Sequence, residues 1–425
     1  MILIGGARPE MTIGWEAVAD VDWTRVFHAY GAAVDTPDHL RALTDGDAAA
    51  RSEALEHLEF AVIHQGTPWT ATVPAALVVA GLLADPATAE PIDEDGRPLR
   101  AALLDFLDSV ATAGHPDIDD EKLNAMARPP GVPEKLIQKT YKSLLGDENP
   151  AAEEGDDEEE GQEVDRKAAT AAWDAVIARV VLEIRSTAPA LLPPVEAALD
   201  DEDPRVRAGA ANAAAWLSAL PGLEHRRDAV AAKVEHVARR APHRDERAAL
   251  VLSLGDLGAA PREFLADPDP AVRACAALAP ALARDPAAFE ELLTALRRPA
   301  EADAWFTHRP PQFPAHVRFT LVDAVLHRAT DFEQLLPTAV AIAQMTNDAC
   351  YRWDWGRLLA AAFPDPGDPP TPPTGLTDAQ RTYLRALVEN EDLWGSEYFG
   401  AHMAFEQVGL PYDRDAIRAL IEAPS

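Results

Sequence analysis

Apolar positions along the chain recur at three- and four-residue intervals, the period of an α-helix with one buried face. Leu55, Leu58, Val62 and Ile63 keep that spacing, and so do Leu103, Leu104, Leu107 and Val110. No run of alternating Val, Ile and Thr points to a sheet, so the expected fold class is all-α. Helix starts are as plain. Asp203-Pro204 precedes Val206, Arg207 and an Ala-rich run to Trp216-Leu217, and Asp269-Pro270 precedes Val272, Arg273 and a similar run to Leu282. Asp offers a carboxylate to the first free N–H groups, and Pro fits the first helical position because its missing N–H would be unpaired there anyway. Asp285-Pro286 and Thr36-Pro37 read as further starts. Thr330 with Glu333, and Thr377 with Gln380, read as reciprocal capping boxes. The 36 prolines fall mainly at such starts or between helices, which predicts many short helices.

Two of these starts belong to a repeated unit. Asp203-Pro204-Arg205-Val206-Arg207-Ala208-Gly209-Ala210-Ala211 aligns with Asp269-Pro270-Ala271-Val272-Arg273-Ala274-Cys275-Ala276-Ala277, and Arg247-Ala248-Ala249-Leu250 fits a degenerate copy between them. Weaker copies begin near Arg51, Arg100 and Arg318. This pattern resembles HEAT repeats, in particular the short repeats of phycobilisome-lyase-like proteins, most clearly over residues 199–283. The resemblance implies an α-α superhelix, a solenoid of antiparallel helix pairs in which only stacking buries each pair's apolar face. It also implies a structural role for Arg207 and Arg273, bonding Asp or carbonyl groups at the turns between repeats. Over about residues 14–80, the stretch His28-Ala29-Tyr30-Gly31, then Asp35, Pro37 and Leu40, then His64-Gln65-Gly66-Thr67 and Trp69, is similar to actinobacterial HEAT-repeat proteins of no settled activity.

Composition narrows the role. Against 38 basic residues stand 71 acidic ones, a formal net charge of -33, so phosphate backbones and anionic membrane surfaces are repelled. No nucleic-acid or membrane partner is expected. No apolar stretch reaches the roughly 18 to 20 residues that cross a bilayer, and a cytoplasmic location with reduced thiols is expected. Two cysteines, Cys275 and Cys350, cannot build a disulfide framework or a four-thiolate zinc site. Residues 147–163 hold ten acidic side chains and no basic ones, and read as a disordered linker or loop. That divides the chain into a disordered extension (1–11, with Met11 as the natural start), a helical block (12–146), the linker, and a second helical block (164–425). A Pro-rich loop from Pro364 to Pro373 sets off the last helices.

Few residues suggest chemistry. His28, His57 and His64, with Glu53 or Glu56, could be arranged around a metal, but their spacing lacks the close pair that zinc sites use, and no metal is expected. His64 and Gln65 read instead as a helix end with Gly66 at its C′ position. His402 and Glu406 read as a surface pair. Cys275 lies on an apolar helix face, and Cys350 has Arg352 as its one close basic neighbour. There is no nucleophile elbow, phosphate loop or dinucleotide glycine pattern. No catalytic residue and no cofactor is assigned. Of the 27 aromatic residues 15 follow residue 304, which makes that end the candidate binding surface: Tyr351, Arg352, Trp353, Trp355 and Arg357. Trp353 and Trp355 cannot share one helix face, so one of the pair is expected to be exposed. The expected function is a non-catalytic scaffold that meets a protein partner, in particular a basic one, on an acidic curved surface. One alternative is an immunity-like protein masking a basic toxin. The other is a HEAT-like enzyme or cofactor-handling, lyase-like protein.

Overall fold

A computed structural model of the chain describes residues 12–114, 118–146, 159–364, 367, 370–373, 375–394 and 399–423. The extension 1–11, most of the acidic segment (147–158), part of the Pro-rich loop and Tyr398 lie outside these residues. The described residues are mostly helical, with helices packed in sequence-adjacent pairs. No helix among them is long and apolar enough to cross a membrane. The chain divides into two compact units, 1–240 and 241–425.

In the first unit, α1 (Thr36–Asp45) pairs with α2 (Ala48–His57), and α3 (Thr72–Leu82) with α4 (Leu99–Ala113). Short α5 (Asp120–Ala127) and α6 (Glu134–Leu144) lie against the long α7 (Glu159–Ala198), which also packs on α3, α4 and α8 (Pro204–Ala219). Helix α9 (Arg227–Arg240) follows. The helices before and after the acidic segment fall in this one unit. Helix α7, which begins inside the acidic segment at Glu159, is held to the helices before it by ion pairs as well as apolar contact. Arg179 makes a two-pronged pair with Glu134 at 2.9 and 2.7 Å, and Arg185 binds Asp120 and the Gly114 carbonyl. Small residues set the spacing: Gly209 of α8 lies against Leu104 of α4, with Ala210, Ala211 and Ala213 buried beside it.

The expected all-α fold has one departure. Two tight hairpins stand in the first unit, β1 (Phe27–His28) with β2 (Gly31–Ala32), and β3 (Ile63–His64) with β4 (Thr67–Pro68). Gln65 and Gly66 have φ of 50° and 78°, the left-handed pair that a two-residue hairpin turn demands. The left-handed glycine is thus real, but it closes a hairpin and not a helix. Ile63, which keeps helical spacing with Leu58 and Val62, is the first strand residue of β3.

In the second unit, α10 (Arg244–Asp256), α11 (Pro270–Leu278) and α12 (Pro286–Ala295) pack in succession. Then come α13 (Pro299–Asp303), α14 (Val317–Arg328), α15 (Phe332–Ala343), α16 (Trp355–Ala362), α17 (Asp378–Glu389), α18 (Phe399–Glu406) and α19 (Arg414–Glu422). Gly255 allows α10 to pass close to Ala279, where a Cβ would sit 3.2 Å from the Ala279 Cα.

The Asp-Pro starts share one geometry. Asp203 accepts from Arg205 N and Asp269 from Ala271 N, at 2.8 and 2.9 Å. Two residues earlier, Asp201 and Asp267 accept from Asp203 N and Asp269 N, at 2.9 and 2.8 Å. Arg207 Nη1 donates to the Asp201 and Glu202 carbonyls, and Arg273 Nη1 to those of Asp267 and Pro268. Burial pushes the Asp203 carboxyl up, and the Arg205 guanidinium and N–H more than reverse that, leaving it below the usual range. Thr377 and Gln380 form the reciprocal box. At α15 the cap lies one residue later than Thr330: Asp331 accepts from Gln334 N at 3.0 Å.

Candidate functional site

The two hairpins bring together residues far apart in sequence. Ala29 N donates to Ala61 O at 3.0 Å, Phe27 N to Thr70 Oγ1 at 2.8 Å and Ala71 N to Phe27 O at 3.0 Å. Phe27 anchors the assembly from below, buried against Trp69 and Tyr141. At the turn, the Tyr30 N–H donates to His28 Nδ1 at 3.1 Å. The neutral His28 ring therefore carries its proton on Nε2, which donates to Asp35 Oδ1 at 3.0 Å. His57 stands edge-on to His28 with ring centres 5.1 Å apart, stacks on His39 at 4.2 Å and bonds Thr36 Oγ1 through Nε2 at 2.8 Å.

These contacts set the charges. Burial, with the neighbouring His39, pulls His57 down to about 4, so the ring is neutral at pH 7. Burial pushes Asp35 up, but the bond from His28 and the nearby histidines outweigh it and hold the carboxyl below its usual range. The cluster can therefore keep a neutral imidazole, a carboxylate and a hydroxyl within a few ångströms.

The groups expected near a metal are only partly gathered. His28, Asp35 and His57 place their donor atoms within 4.8 Å of one another. Glu53 and Glu56 do not take part, and His64 turns elsewhere, bonding Phe60 O through Nδ1 at 2.8 Å. A ligating histidine normally donates its second N–H to an acceptor. Here the second nitrogen of His28 receives an N–H from Tyr30, and its first carries the proton aimed at Asp35. That arrangement suits a loop clamp better than a metal ligand. The sequence marks Thr36 only as a helix start and gives no chemical role to Asp35 or His39. Asp35 begins α1 but makes no side-chain cap bond, because its carboxylate is turned to His28.

What the clamp displays is apolar. Tyr30 is 70% exposed, Val34 58% and Phe60 52%. Tyr30 sits against His64 with ring centres 5.8 Å apart, and His64 is bonded to the Phe60 carbonyl. Around them in the chain lie the exposed carboxylates Asp35, Asp38, Glu56 and Glu59.

The aromatic segment of the second unit is arranged differently. Trp353 is 56% exposed and stacked on Phe319, with Arg352 exposed beside it. Trp355 is fully buried, its Nε1 donating to Asn347 O at 2.8 Å, so it offers no face to a partner. Tyr351 is half-buried against Gly400, where a Cβ would collide with the ring. Arg357 pairs with Asp323 at 2.6 Å. Below this segment Asp354, fully buried, accepts from Arg318 Nε at 3.0 Å, Thr346 Oγ1 at 2.9 Å and Trp355 N at 2.5 Å. Arg318 also binds Asp303. Burial works against the Arg318 charge, and Asp303 and Asp354 more than restore it.

Neither thiol is an activated nucleophile by geometry. Cys275 is enclosed, and burial drives its thiol far above the usual range. Cys350 lies 3.4 Å from Arg318 Nη2, a guanidinium already engaged by two carboxylates. His402 and Glu406 pair on the surface at 3.4 Å. Comparison with family models, with curated proteins and with solved structures finds no match for this chain.

Proposed function

We propose that this chain is a non-catalytic protein-binding module built from HEAT-like helical repeats, and that it docks a basic protein partner on the hairpin surface of its first unit. The observation that carries the reading is the joint exposure of Tyr30, Val34 and Phe60 on a backbone fixed by the His28–Asp35 and Thr36–His57 bonds. Large apolar side chains held rigidly at a surface lose little entropy on binding, and Tyr is favoured among interface anchors. The surrounding carboxylates, and the net charge of -33, favour a basic rim on the partner and fast, salt-sensitive association. The HEAT-like part of the reading is supported by the matching Asp-Pro-x-Val-Arg starts of α8 and α11.

The test is affinity capture of the tagged chain from its native cell at low and moderate salt, beside a Tyr30→Ser/Phe60→Ser variant. The expected result is a stoichiometric basic protein that leaves as salt rises and that the variant fails to hold. Equal capture by the variant would overturn the docking surface. Retention of a small molecule or metal with no protein would overturn the binding-module reading and favour the enzyme.

A further inference from the structure

The second unit contains a groove of about 510 Å³ between one face of α12 and one face of α15, with the end of α14 entering it. That volume falls in the range of small-molecule sites, roughly 300–1,000 Å³. Three guanidiniums line it: Arg284, Arg297 and Arg328. Many arginines elsewhere in this acidic chain meet carboxylates, as in Arg51–Glu90, Arg179–Glu134, Arg247–Asp267 and Arg273–Glu291. In the groove none of the three has a carboxylate partner among the described residues. Arg328 is half-buried and bonded only to carbonyls, Ala277 O at 2.7 Å and Leu278 O at 3.4 Å. Burial without a counter-charge lowers its affinity for its proton.

Two carboxylates also reach the groove, and they do not cancel it. Asp285 is engaged by Arg262 from outside and caps Ala287 N at 2.9 Å. Glu290 alone remains against three positive charges. The wall between is apolar, with Phe289 and Leu293 on consecutive turns of α12. On the facing helix Thr338 is buried, and its hydroxyl has no hydrogen-bond partner among the described residues. An enclosed, unpartnered hydroxyl and an uncompensated guanidinium both carry a cost that a bound acceptor would remove.

We propose that this groove is a binding site for a small organic anion, one with a phosphate or carboxylate head for the arginines and an apolar body for Phe289 and Leu293. The proposal is independent of the hairpin surface, which lies in the other unit.

The test is titration calorimetry on the full chain at low salt with three probes: phenyl phosphate, benzoate and the neutral benzyl alcohol. The expected result is that at least one anion binds more than about tenfold tighter than benzyl alcohol, the tighter anion naming the head group. Arg284→Gln/Arg297→Gln is expected to weaken that anion by about tenfold or more with the melting temperature unchanged, because neither side chain has a structural partner among the described residues. Anions that bind no tighter than benzyl alcohol would overturn the proposal. So would a double variant that binds them as the unaltered chain does.

Discussion

The chain holds an exposed ring over a polar cluster twice, in opposite ways. In the first unit Tyr30 stands over a half-open cluster with a single carboxylate and no paired cation, His28, Asp35, Thr36 and His57. In the second, Trp353 stands next to a closed ionic one, in which Arg318 lies between Asp303 and Asp354 and also over the Phe319 ring at 4.5 Å. The ionic cluster has carried its charges out of water, so everything depends on complete pairing. The half-open cluster leaves its one carboxylate half in water and can lose a partner cheaply. The first arrangement suits a surface that must be presented; the second suits a joint that must not move. The Asp354 segment ties the loop before α16 to α14, and Trp355 behind it is core.

The sharpest break in that comparison is Arg318→Met. It leaves Asp354 buried without its cation, and such losses cost about 3–5 kcal/mol. Urea unfolding of the full chain, compared with the unaltered protein, measures it. A loss below about 1 kcal/mol would mean that the cluster is open to water after all.

The next effect belongs to the first unit and is read by pH. The folded His57 titrates at about 4, below its ordinary value of 6.5. Between those values the unfolded chain binds more protons, so stability rises with pH. The contribution is complete above 6.5 and is lost as pH falls from there through 4. Discounted for the ring's partial exposure, it is on the order of 1–2 kcal/mol. His57→Phe should flatten the dependence of the urea midpoint over that window, and an unchanged slope would place its source elsewhere. Asp35→Asn should cost about 1 kcal/mol at pH 7, the worth of one hydrogen bond to a half-exposed carboxylate, measured in the same way.

The uneven legibility of the two regions has the same physical origin. Helix starts and apolar faces are local, so Asp203, Asp269, Asp285 and the Leu103–Val110 face could be read from spacing alone. Even the positive φ at Gly66 was visible, though its neighbours, Ile63 and Thr67, carry too short a pattern to distinguish a hairpin from a helix end. The clusters are not local. Thr36-Pro37 reads as a helix start, but nothing in the chain shows that His28 will take the Asp35 carboxylate beside it. Trp353 and Trp355 look equivalent two residues apart, and only Asn347, Tyr383 and Phe405, contributed by other segments, decide that Trp355 is inside. The groove arginines are illegible for the same reason: an unpaired guanidinium is recognised by what fails to approach it.

The smallest stability effects fall on the exposed rings themselves, and they separate display from support. Trp353→Ser removes a ring stacked on Phe319 with centres 6.0 Å apart, which should cost about 0.5–1.5 kcal/mol. Tyr30→Ser removes a ring whose ring contacts among the described residues are histidine edges, His28 at 6.1 Å and His64 at 5.8 Å, and the bond to His28 comes from the backbone N–H that serine retains. Its cost should stay within about 0.5 kcal/mol, the scale of ordinary surface substitutions. Thermal melts of the two variants give the ranking directly. If Tyr30→Ser destabilises as much as Trp353→Ser, the Tyr30 ring is supporting its hairpin, and the reason to regard it as displayed for a partner is gone. If it does not, a 70%-exposed tyrosine that contributes little to folding is held in place by bonds that do contribute, which is the arrangement expected of a docking residue.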